Sequence, residues 1–441
     1  GARRAAGAAL PLAASPSTAM VSRRPEESRE PALGVRPVPR RVAMVAMHSS
    51  PAQPAGTGDS GGMTTVLLAL SSELARHGIA VDLITRASGA PSVTELEPSV
   101  TLRELPAGVA SVVAKGRLPE VVDDFGEAIG TLARAGSYDL IHAHYWLSGI
   151  AALPVALELG LPLVQSFHTL AAMKNAAAAA GQLLEPERRL ISERYLATQA
   201  NAIIAGSAAE AATLIGAVGA PAERTWVIPP GVDVELFRPD RISADAAVRR
   251  GLGVADGSPI LAVVGRLQPL KNQELAVRIL AELDRFGGTP AVLVIAGEAT
   301  PGDDGYLTRL HRTAAALGVQ DRVRFVGALS RVALADLLAA ASVTIVPSRS
   351  ETFGLVALES AASGTPVVGF RGTGLVESVA EGRSGLLIDS WDPRRWAQAV
   401  SGLLTDAQRA RYGTSARLHA LGFTWPASAA ALIAVYSSLL T

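Results

Sequence analysis

Val343-Thr344-Ile345-Val346-Pro347 and, two residues further on, Ser350-Glu351-Thr352-Phe353-Gly354-Leu355-Val356-Ala357-Leu358-Glu359 read as a strand, a loop and the opening of an apolar helix. Glu351 then stands at the C-terminal mouth of the strand, and Glu359, with seven residues between the two, on the inner face of the helix. In an open α/β sheet that mouth is where ligands bind, and the backbone N–H groups around Gly354 and Leu355 would face an anion. The same unit occurs upstream, where a strand at 259–264 runs into Gly265-Arg266-Leu267-Gln268-Pro269-Leu270-Lys271 with two cations. Carboxylates suited to sugar hydroxyls and cations suited to phosphate point to a nucleotide-sugar site.

From Arg41 onward, short β-rich runs alternate with Ala/Leu-rich helical stretches, the signature of parallel sheets covered by helices on both faces. Strands are expected at 42–47, 81–85, 140–143, 162–167, 202–205 and 225–228. The series pauses at Pro229-Pro230-Gly231-Val232-Asp233-Val234-Glu235-Leu236-Phe237-Arg238-Pro239, whose prolines and glycine mark a linker. It resumes at 259–264, 291–296, 323–325, 343–346, 366–370 and 386–388. The expected architecture is α/β: two doubly wound Rossmann-like domains facing an interdomain cleft that holds the site. Residues 1–40 read as a flexible tail, 41–234 as an N-terminal acceptor domain, 235–424 as a C-terminal nucleotide-sugar domain, and 425–441 as a closing helix with its N-cap at Thr424.

At 441 residues the chain exceeds what one core usually serves. Its 40 basic and 40 acidic residues balance, which gives no electrostatic argument for nucleic acid or an anionic membrane. With no cysteine there is no disulfide framework, thiolate nucleophile or thiolate-held metal. No apolar run is read as reaching the roughly 18 residues of a membrane span. Ala2-Arg3-Arg4-Ala5-Ala6-Gly7-Ala8-Ala9-Leu10 faintly resembles a signal sequence, but Pro11 breaks its short apolar part and Met20 is a candidate start. The expectation is a cytoplasmic protein working on small molecules.

Other segments carry chemistry in the first half. Met47-His48-Ser49-Ser50-Pro51 ends a strand, and Gly56-Thr57-Gly58-Asp59-Ser60-Gly61-Gly62-Met63 opens a helix whose N–H donors suit phosphate or hydroxyl oxygens. That turn lacks the Lys-Ser/Thr ending of a P-loop. His142-x-His144 offers two imidazoles but no third ligand, so no metal site is expected. Tyr145 and His168 stand at strand ends in a cleft protein, where a contact with ligand competes with an interior role. Arg188 and Arg189 open a polar helix and read, taken alone, as a solvated charged face.

Taken together, Gly265-Arg266 with Lys271 and Glu351-Thr352-Phe353-Gly354 with Glu359 resemble the retaining, family 4 glycosyltransferases of GT-B architecture. Within that family, His48-Ser49-Ser50-Pro51, the glycine-rich turn, His144-Tyr145-Trp146-Leu147-Ser148-Gly149 and His168-Thr169-Leu170-Ala171-Ala172-Met173-Lys174-Asn175 look like the mycothiol-pathway inositol-phosphate branch, which uses UDP-GlcNAc. The resemblance implies catalytic roles for His168, Arg266, Lys271 and Glu351. For the donor it implies contacts from Gly62, Arg266, Lys271, Glu351, Phe353, Gly354, Leu355 and Glu359. The implied acceptor contacts are His48, Asp59, Ser60, Gly61, Gly62, Met63, Thr64, Lys115, Tyr145, Thr169 and Arg189, with Lys115, Tyr145, Thr169 and Arg189 at the phosphate. It also implies attack on the sugar face that the leaving group departs, with no metal or cofactor beyond the UDP- or GDP-linked sugar as co-substrate. An Arg266/Lys271 clamp stabilises charge on the leaving diphosphate.

Several positions depart from that branch. Its Gly-Gly-Met-Asn-Val-Tyr is here Gly61-Gly62-Met63-Thr64-Thr65-Val66, its Gly-Pro-Tyr-Glu-Gly is Ala107-Gly108-Val109-Ala110-Ser111, and a polar loop after Asn175 is replaced by alanines at 176–180. The differences cluster on the acceptor side, which leaves two readings open. One is transfer of GlcNAc to inositol phosphate. The other is an actinobacterial antibiotic-pathway paralogue, either a lincosamide S-glycosyltransferase joining a GDP-octose to ergothioneine or an aminocyclitol glycosyltransferase. An epimerase or a non-catalytic sugar-nucleotide sensor of the same architecture is a more distant alternative, and the oligomeric state, a homodimer included, is left open.

Overall fold

The computed structural model describes residues 37–48, 50–51, 61–178, 183–299, 304–372 and 374–440. In the first half β1 (Arg41–Val45), α1 (Gly62–Arg76), β2 (Ala80–Arg86), β3 (Ser92–Glu97), β4 (Val100–Leu105), α2 (Val122–Ala135), β5 (Leu140–His144), α3 (Trp146–Leu159), β6 (Leu163–Ser166), α4 (Ala171–Ala176), α5 (Glu187–Gln199), β7 (Ala202–Ala205), α6 (Ala208–Thr213) and β8 (Thr225–Val227) follow one another. They build an eight-stranded sheet in the order β3-β4-β2-β1-β5-β6-β7-β8.

The second half runs α7 (Asp245–Leu252), β9 (Ile260–Val264), α8 (Gln273–Leu283), β10 (Val292–Ala296), α9 (Asp304–Ala316), β11 (Val323–Phe325), α10 (Arg331–Ala340), β12 (Val343–Val346), α11 (Leu355–Ala362), β13 (Val367–Phe370), α12 (Leu375–Ser378), β14 (Gly385–Ile388), α13 (Pro393–Leu403), α14 (Asp406–Ala420) and α15 (Trp425–Ser438). Its six strands are ordered β11-β10-β9-β12-β13-β14.

Both sheets are covered on two faces, and the residues say why. Along β1, Val42 and Met44 enter one core while Ala43 and Val45 enter another. Along β9, Ile260 and Ala262 face one side and Leu261 and Val263 the other. Alternating side chains that are all apolar require helices above and below, which is the buried parallel arrangement. Every described strand pair is parallel except β3 with β4. These two strands, β3 at the sheet's edge and β4 between it and β2, were not among the expected ones. Their hairpin carries half-exposed and polar residues, so neither strand leaves an apolar run in the sequence.

The first sheet's chain order reverses around β1, between β2 and β5, and the second around β9, between β10 and β12. Chain segments leaving β1, β5, β9 and β12 therefore flank crevices at the strands' C-terminal ends.

The two halves are joined twice. Pro229-Pro230-Gly231 leads out, and Phe423-Thr424-Trp425 leads back. The segments touch where Val232 N donates to Phe423 O (3.0 Å) and Ser428 Oγ to Pro229 O (2.6 Å). The stretch Asp406–Ser438 has the length and composition of a membrane span, which corrects the expectation that no such run exists. Here it is two helices separated at Leu421, with the second capped by Thr424 Oγ1 accepting from Ala427 N. Trp425, Ala429, Leu432, Val435 and Tyr436 of α15 pack into the core over the first sheet, opposite to the half that precedes them in sequence.

Candidate active site

A cleft of about 910 Å³ opens between the sheets, lined from both. On the second sheet's side, the turn after β9 carries Gly265 and Arg266, and Lys271 ends a short 3-10 turn. Gln273, fully buried, donates to Arg266 O (2.8 Å) and holds this turn in place. Lys271 Nζ pairs with Glu351 Oε1 at 2.5 Å, so the cation and the carboxylate expected to serve different parts of one ligand meet directly. The Glu351 loop is fixed from behind, where Gly374 N donates to Glu351 O and Ser378 Oγ to Phe353 O, both at 2.8 Å.

Gly354 then caps α11 with φ 93°, a conformation that favours glycine. A Cβ there would lie 2.3 Å from Leu375 Cδ2, so a side chain would also force the buried Leu375 to shift. The N–H groups that open α11 are left for an anion. Phe353 itself is buried in the second domain's core, which leaves its backbone for any ligand contact. Glu359 is buried on the cleft side of α11, as its position in the sequence implied, and is ion-paired with Arg331 at the start of α10. Burial raises its carboxyl while Arg331 pulls it down, and burial prevails.

Across the cleft, α1 points its N-terminus at this group. A Cβ on Gly61 would sit 4.0 Å from Arg266 Nε, and one on Gly62 3.2 Å from Leu355 Cδ1. A diphosphate between them would meet Arg266, Lys271 and two helix N-termini at once.

The remaining wall of the first domain is an aromatic and cationic stack. The His48 and Tyr145 rings lie 4.3 Å apart, and Arg189 covers Tyr145 at 5.0 Å. Arg189 is 2% exposed, which corrects its reading, taken alone, as part of a solvated face; its neighbour Arg188 is exposed. Its guanidinium donates to Glu193 Oε1 (2.7 Å), Glu185 Oε2 (2.9 Å), Thr169 O (2.8 Å) and Thr169 Oγ1 (3.0 Å). Lys174 Nζ shares Glu185, at 2.6 Å. Burial pushes the Glu185 carboxyl up, but Arg189 and Lys174 outweigh it and hold the group below its ordinary value. Lys174 is itself lowered, by burial and by Arg189.

The cleft thus gathers His48, Gly61, Gly62, Met63, Tyr145, His168, Thr169, Arg189, Arg266, Lys271, Glu351, Phe353, Gly354, Leu355 and Glu359. Thr64 is not among its lining: it is 1% exposed on the inward face of α1, because a helix turns the residue after Met63 towards the core. Asp59 and Ser60 lie outside the described residues, as does the Lys115 side chain.

Sequence reasoning missed Arg331, Lys174, Glu185 and Glu210, all of which line the cleft. Arg331 follows a strand–loop junction like the others, a signal that was available. Glu210 stood in a Ser207-x-x-Glu helix-start signature, with Ser207 Oγ accepting from Glu210 N, but gave no sign of the cleft: its Oε2 accepts from Gly206 N (2.7 Å), its Oε1 has no partner among the described residues, and burial pushes the carboxyl up to about 8. His142 and His144, weighed as ligands for a metal, instead bond to Tyr436, Ser166 and His168.

The sequence matches the family model described as Glycosyltransferase Family 4 over residues 60–236 and that described as Glycosyl transferases group 1 over residues 245–419. It is 42% identical to a D-inositol 3-phosphate glycosyltransferase 2 of Catenulispora acidiphila, covering 91% of this chain and 95% of that one. A D-inositol 3-phosphate glycosyltransferase of Acidothermus cellulolyticus is 41% identical, over 91% of each chain. Among solved structures, sucrose-phosphate synthase from Thermosynechococcus elongatus superposes with a TM-score of 0.83 at 30% identity, over 91% of this chain and 99% of that one. Likeness of this extent, carried through both halves, shows that the chain belongs to the group 1, family 4 glycosyltransferases of GT-B fold, enzymes that transfer a sugar from a nucleotide-sugar donor.

Proposed function

We propose that this enzyme transfers N-acetylglucosamine from UDP-GlcNAc to an inositol phosphate with retention of anomeric configuration. The observation that carries the reading is the cleft's two-sided chemistry. One wall holds Arg266, Lys271, Glu351 and Glu359 around the α11 N-terminus, and the other holds Tyr145, Thr169 and Arg189. Relatives named for D-inositol 3-phosphate at 41–42% identity support the acceptor.

Each group has a task. Arg266 and Lys271, with the helix N-termini, stabilise the charge that grows on the diphosphate as the anomeric bond breaks. Glu351 moves from Lys271 to a sugar hydroxyl, and Glu359 takes the ribose. Arg189, Thr169 and Tyr145 hold the acceptor phosphate so that its hydroxyl reaches the anomeric carbon on the face the diphosphate leaves. The departing phosphate oxygen accepts that hydroxyl's proton, and no protein base is needed. Neither carboxylate is a nucleophile, because both are used to place the donor and no pair of carboxylates flanks the anomeric carbon. Enclosure between the domains excludes water that would hydrolyse the donor. The balanced charge of the chain gives no electrostatic pull towards nucleic acid or an anionic membrane, and we place the enzyme in the cytoplasm acting on small molecules.

A second reading is favoured by one observation. Arg189 is already bonded to two carboxylates, Glu185 and Glu193, so its charge is largely offset within the protein. A pocket of that kind also suits an uncharged or cationic acceptor such as an aminocyclitol, or ergothioneine with a GDP-octose.

A mass-spectrometric transfer assay separates the two. UDP- and GDP-sugars are offered against inositol 1-phosphate, inositol, aminocyclitols and ergothioneine. Formation of the GlcNAc–inositol phosphate product from UDP-GlcNAc is expected; inertness of that pair while another reacts would overturn the acceptor assignment in favour of the second reading.

A further inference from the structure

β5 ends in His142-Ala143-His144, and strand alternation puts both imidazoles on one side, with ring centroids 4.1 Å apart. Their hydrogen bonding differs. His142 uses both nitrogens, Nδ1 with Tyr436 Oη (2.6 Å) and Nε2 with Ser166 Oγ (2.9 Å). His144, 1% exposed, uses one: Nδ1 meets His168 Nε2 at 2.8 Å, and the buried Nε2 has no partner among the described residues. The two rings also stack, at 5.1 Å and 26°.

His168 is constrained three ways. Its backbone is left-handed, φ 60°, which is uncommon for a non-glycine residue. Its carbonyl accepts from Thr352 Oγ1 of the other domain at 2.6 Å, and its ring is held by His144. Its remaining ring nitrogen, Nδ1, is not among the buried unpartnered atoms, and the residue lines the cleft. That nitrogen is the one a ligand meets.

A neutral imidazole has one N–H and one lone pair. Burial keeps both rings neutral in the working range, holding His168 at about 4 and His144 well below its ordinary value. One proton then lies between His144 Nδ1 and His168 Nε2, and its owner decides the outer nitrogens. If His168 donates, His144 must carry its proton on Nε2, a buried N–H with no acceptor among the described residues, the rarer defect in folded proteins. His168 would then offer the cleft only a lone pair, which repels phosphate oxygens. If His144 donates, only a lone pair is left buried at its Nε2, and His168 Nδ1 carries a hydrogen towards the ligand. The second array avoids both faults.

We propose that His144 is a positioning residue for sugar transfer: it donates from Nδ1 to His168 Nε2 and so fixes His168 as the Nδ1–H tautomer, a hydrogen-bond donor aimed at donor oxygens in the cleft. His168 on this account is no general base. The proposal rests on the transferase reading for its role, and on the imidazole geometry alone for the tautomer.

The test is a long-range proton–nitrogen correlation spectrum of full-length protein labelled with 15N-histidine, with His168 assigned from a His168→Asn sample. A protonated Nδ1 and an unprotonated Nε2 on His168 are expected. His144→Ala is expected to lose that single tautomer and to lower kcat on the order of 100-fold while leaving the donor KM nearly unchanged. His144→Asn, whose side-chain amide can donate from the place of Nδ1–H, is expected to restore both. A protonated Nε2 on wild-type His168 overturns the proposal even if His144→Ala does not fold. So does unchanged kcat in a folded His144→Ala. The expected tautomer in an enzyme inert towards every nucleotide sugar would leave the assignment standing and overturn the transferase reading instead.

Discussion

At the scale of single residues, the Lys271–Glu351 pair explains how the cleft stays ordered before a donor arrives. Each group neutralises the other at 2.5 Å, with side chains 24% and 15% exposed, and in the proposed function each exchanges the other for diphosphate or sugar. A pair this open to water contributes little to stability, about 0–1 kcal/mol. Lys271→Ala and Glu351→Ala are therefore expected to melt near the wild-type temperature while losing transfer by about 10²–10³-fold in kcat. Near-normal turnover in either variant would refute the donor-site assignment.

Glu210 behaves in the opposite way. Its carboxyl ionises at about 8 in the fold against an ordinary 4.5, so between those values the folded state holds a proton that the unfolded chain has released. Its contribution to stability is complete below about 4.5 and is lost as pH rises through about 8. Glu210→Gln cannot ionise and still offers an oxygen to Gly206 N. Melting curves recorded from about pH 5 to pH 9 should show wild type falling relative to this variant; parallel curves would mean that Glu210 is not held protonated.

Among these residues, Arg266, Lys271, Glu351 and Glu359 were legible because a strand end fixes where a following residue points. Arg189 was legible only by resemblance, since nothing in a polar helix start announces burial. Glu210 read only as part of a helix start, because its bonds are local to Gly206 and Ser207 while the burial and the nearby Glu193 and Glu377 that keep it protonated come from other segments.

Among elements, the central strands were readable because both their faces are apolar, and the hairpin strands β3 and β4 were not, because β3 at the sheet's edge is largely exposed and β4 alternates buried with half-buried, partly polar positions. Helix α15 was readable at its start, where Thr424 caps and Pro426 follows, but not in its destination. Its apolar residues fit a core in either half. What decides the matter is the crossing of the two linkers, where Gly231 lies so close to the returning chain that a Cβ would stand 2.3 Å from Trp425 N and 2.5 Å from Thr424 C. Backbone cannot yield there as a flexible side chain would. Gly231→Ala is expected to destabilise the protein by about 1–3 kcal/mol and to speed hydrogen exchange in 425–438 ahead of the rest of the chain. Wild-type stability in this variant would show that the linkers do not hold each other.

At the scale of the whole molecule, the two domains meet through Thr352, which stands between the paired carboxylates of the donor loop. Its Oγ1 donates to His168 O, its own carbonyl accepts from Ser207 Oγ (both 2.6 Å), and beside it Glu377 of α12 accepts from Ala209 N (3.2 Å) at the start of α6. Opening the cleft would break these bonds, so their energy favours a closed form over an open one and does not bear on either domain's own fold. Thr352→Val keeps the side chain's shape and removes one of them. A hydrogen bond of about 0.5–1.5 kcal/mol corresponds to a shift of about 2- to 13-fold towards the open form. A donor that binds the closed form must supply that energy itself, so its apparent affinity falls by the same factor once the open form predominates. Small-angle scattering of the nucleotide-free variant should show a larger radius of gyration than wild type. UDP should bring the two together, and the donor KM should rise within that range. If scattering is unchanged while kcat falls, Thr352 acts on His168 locally and the closed state is held by other contacts, such as the crossed linkers at Gly231.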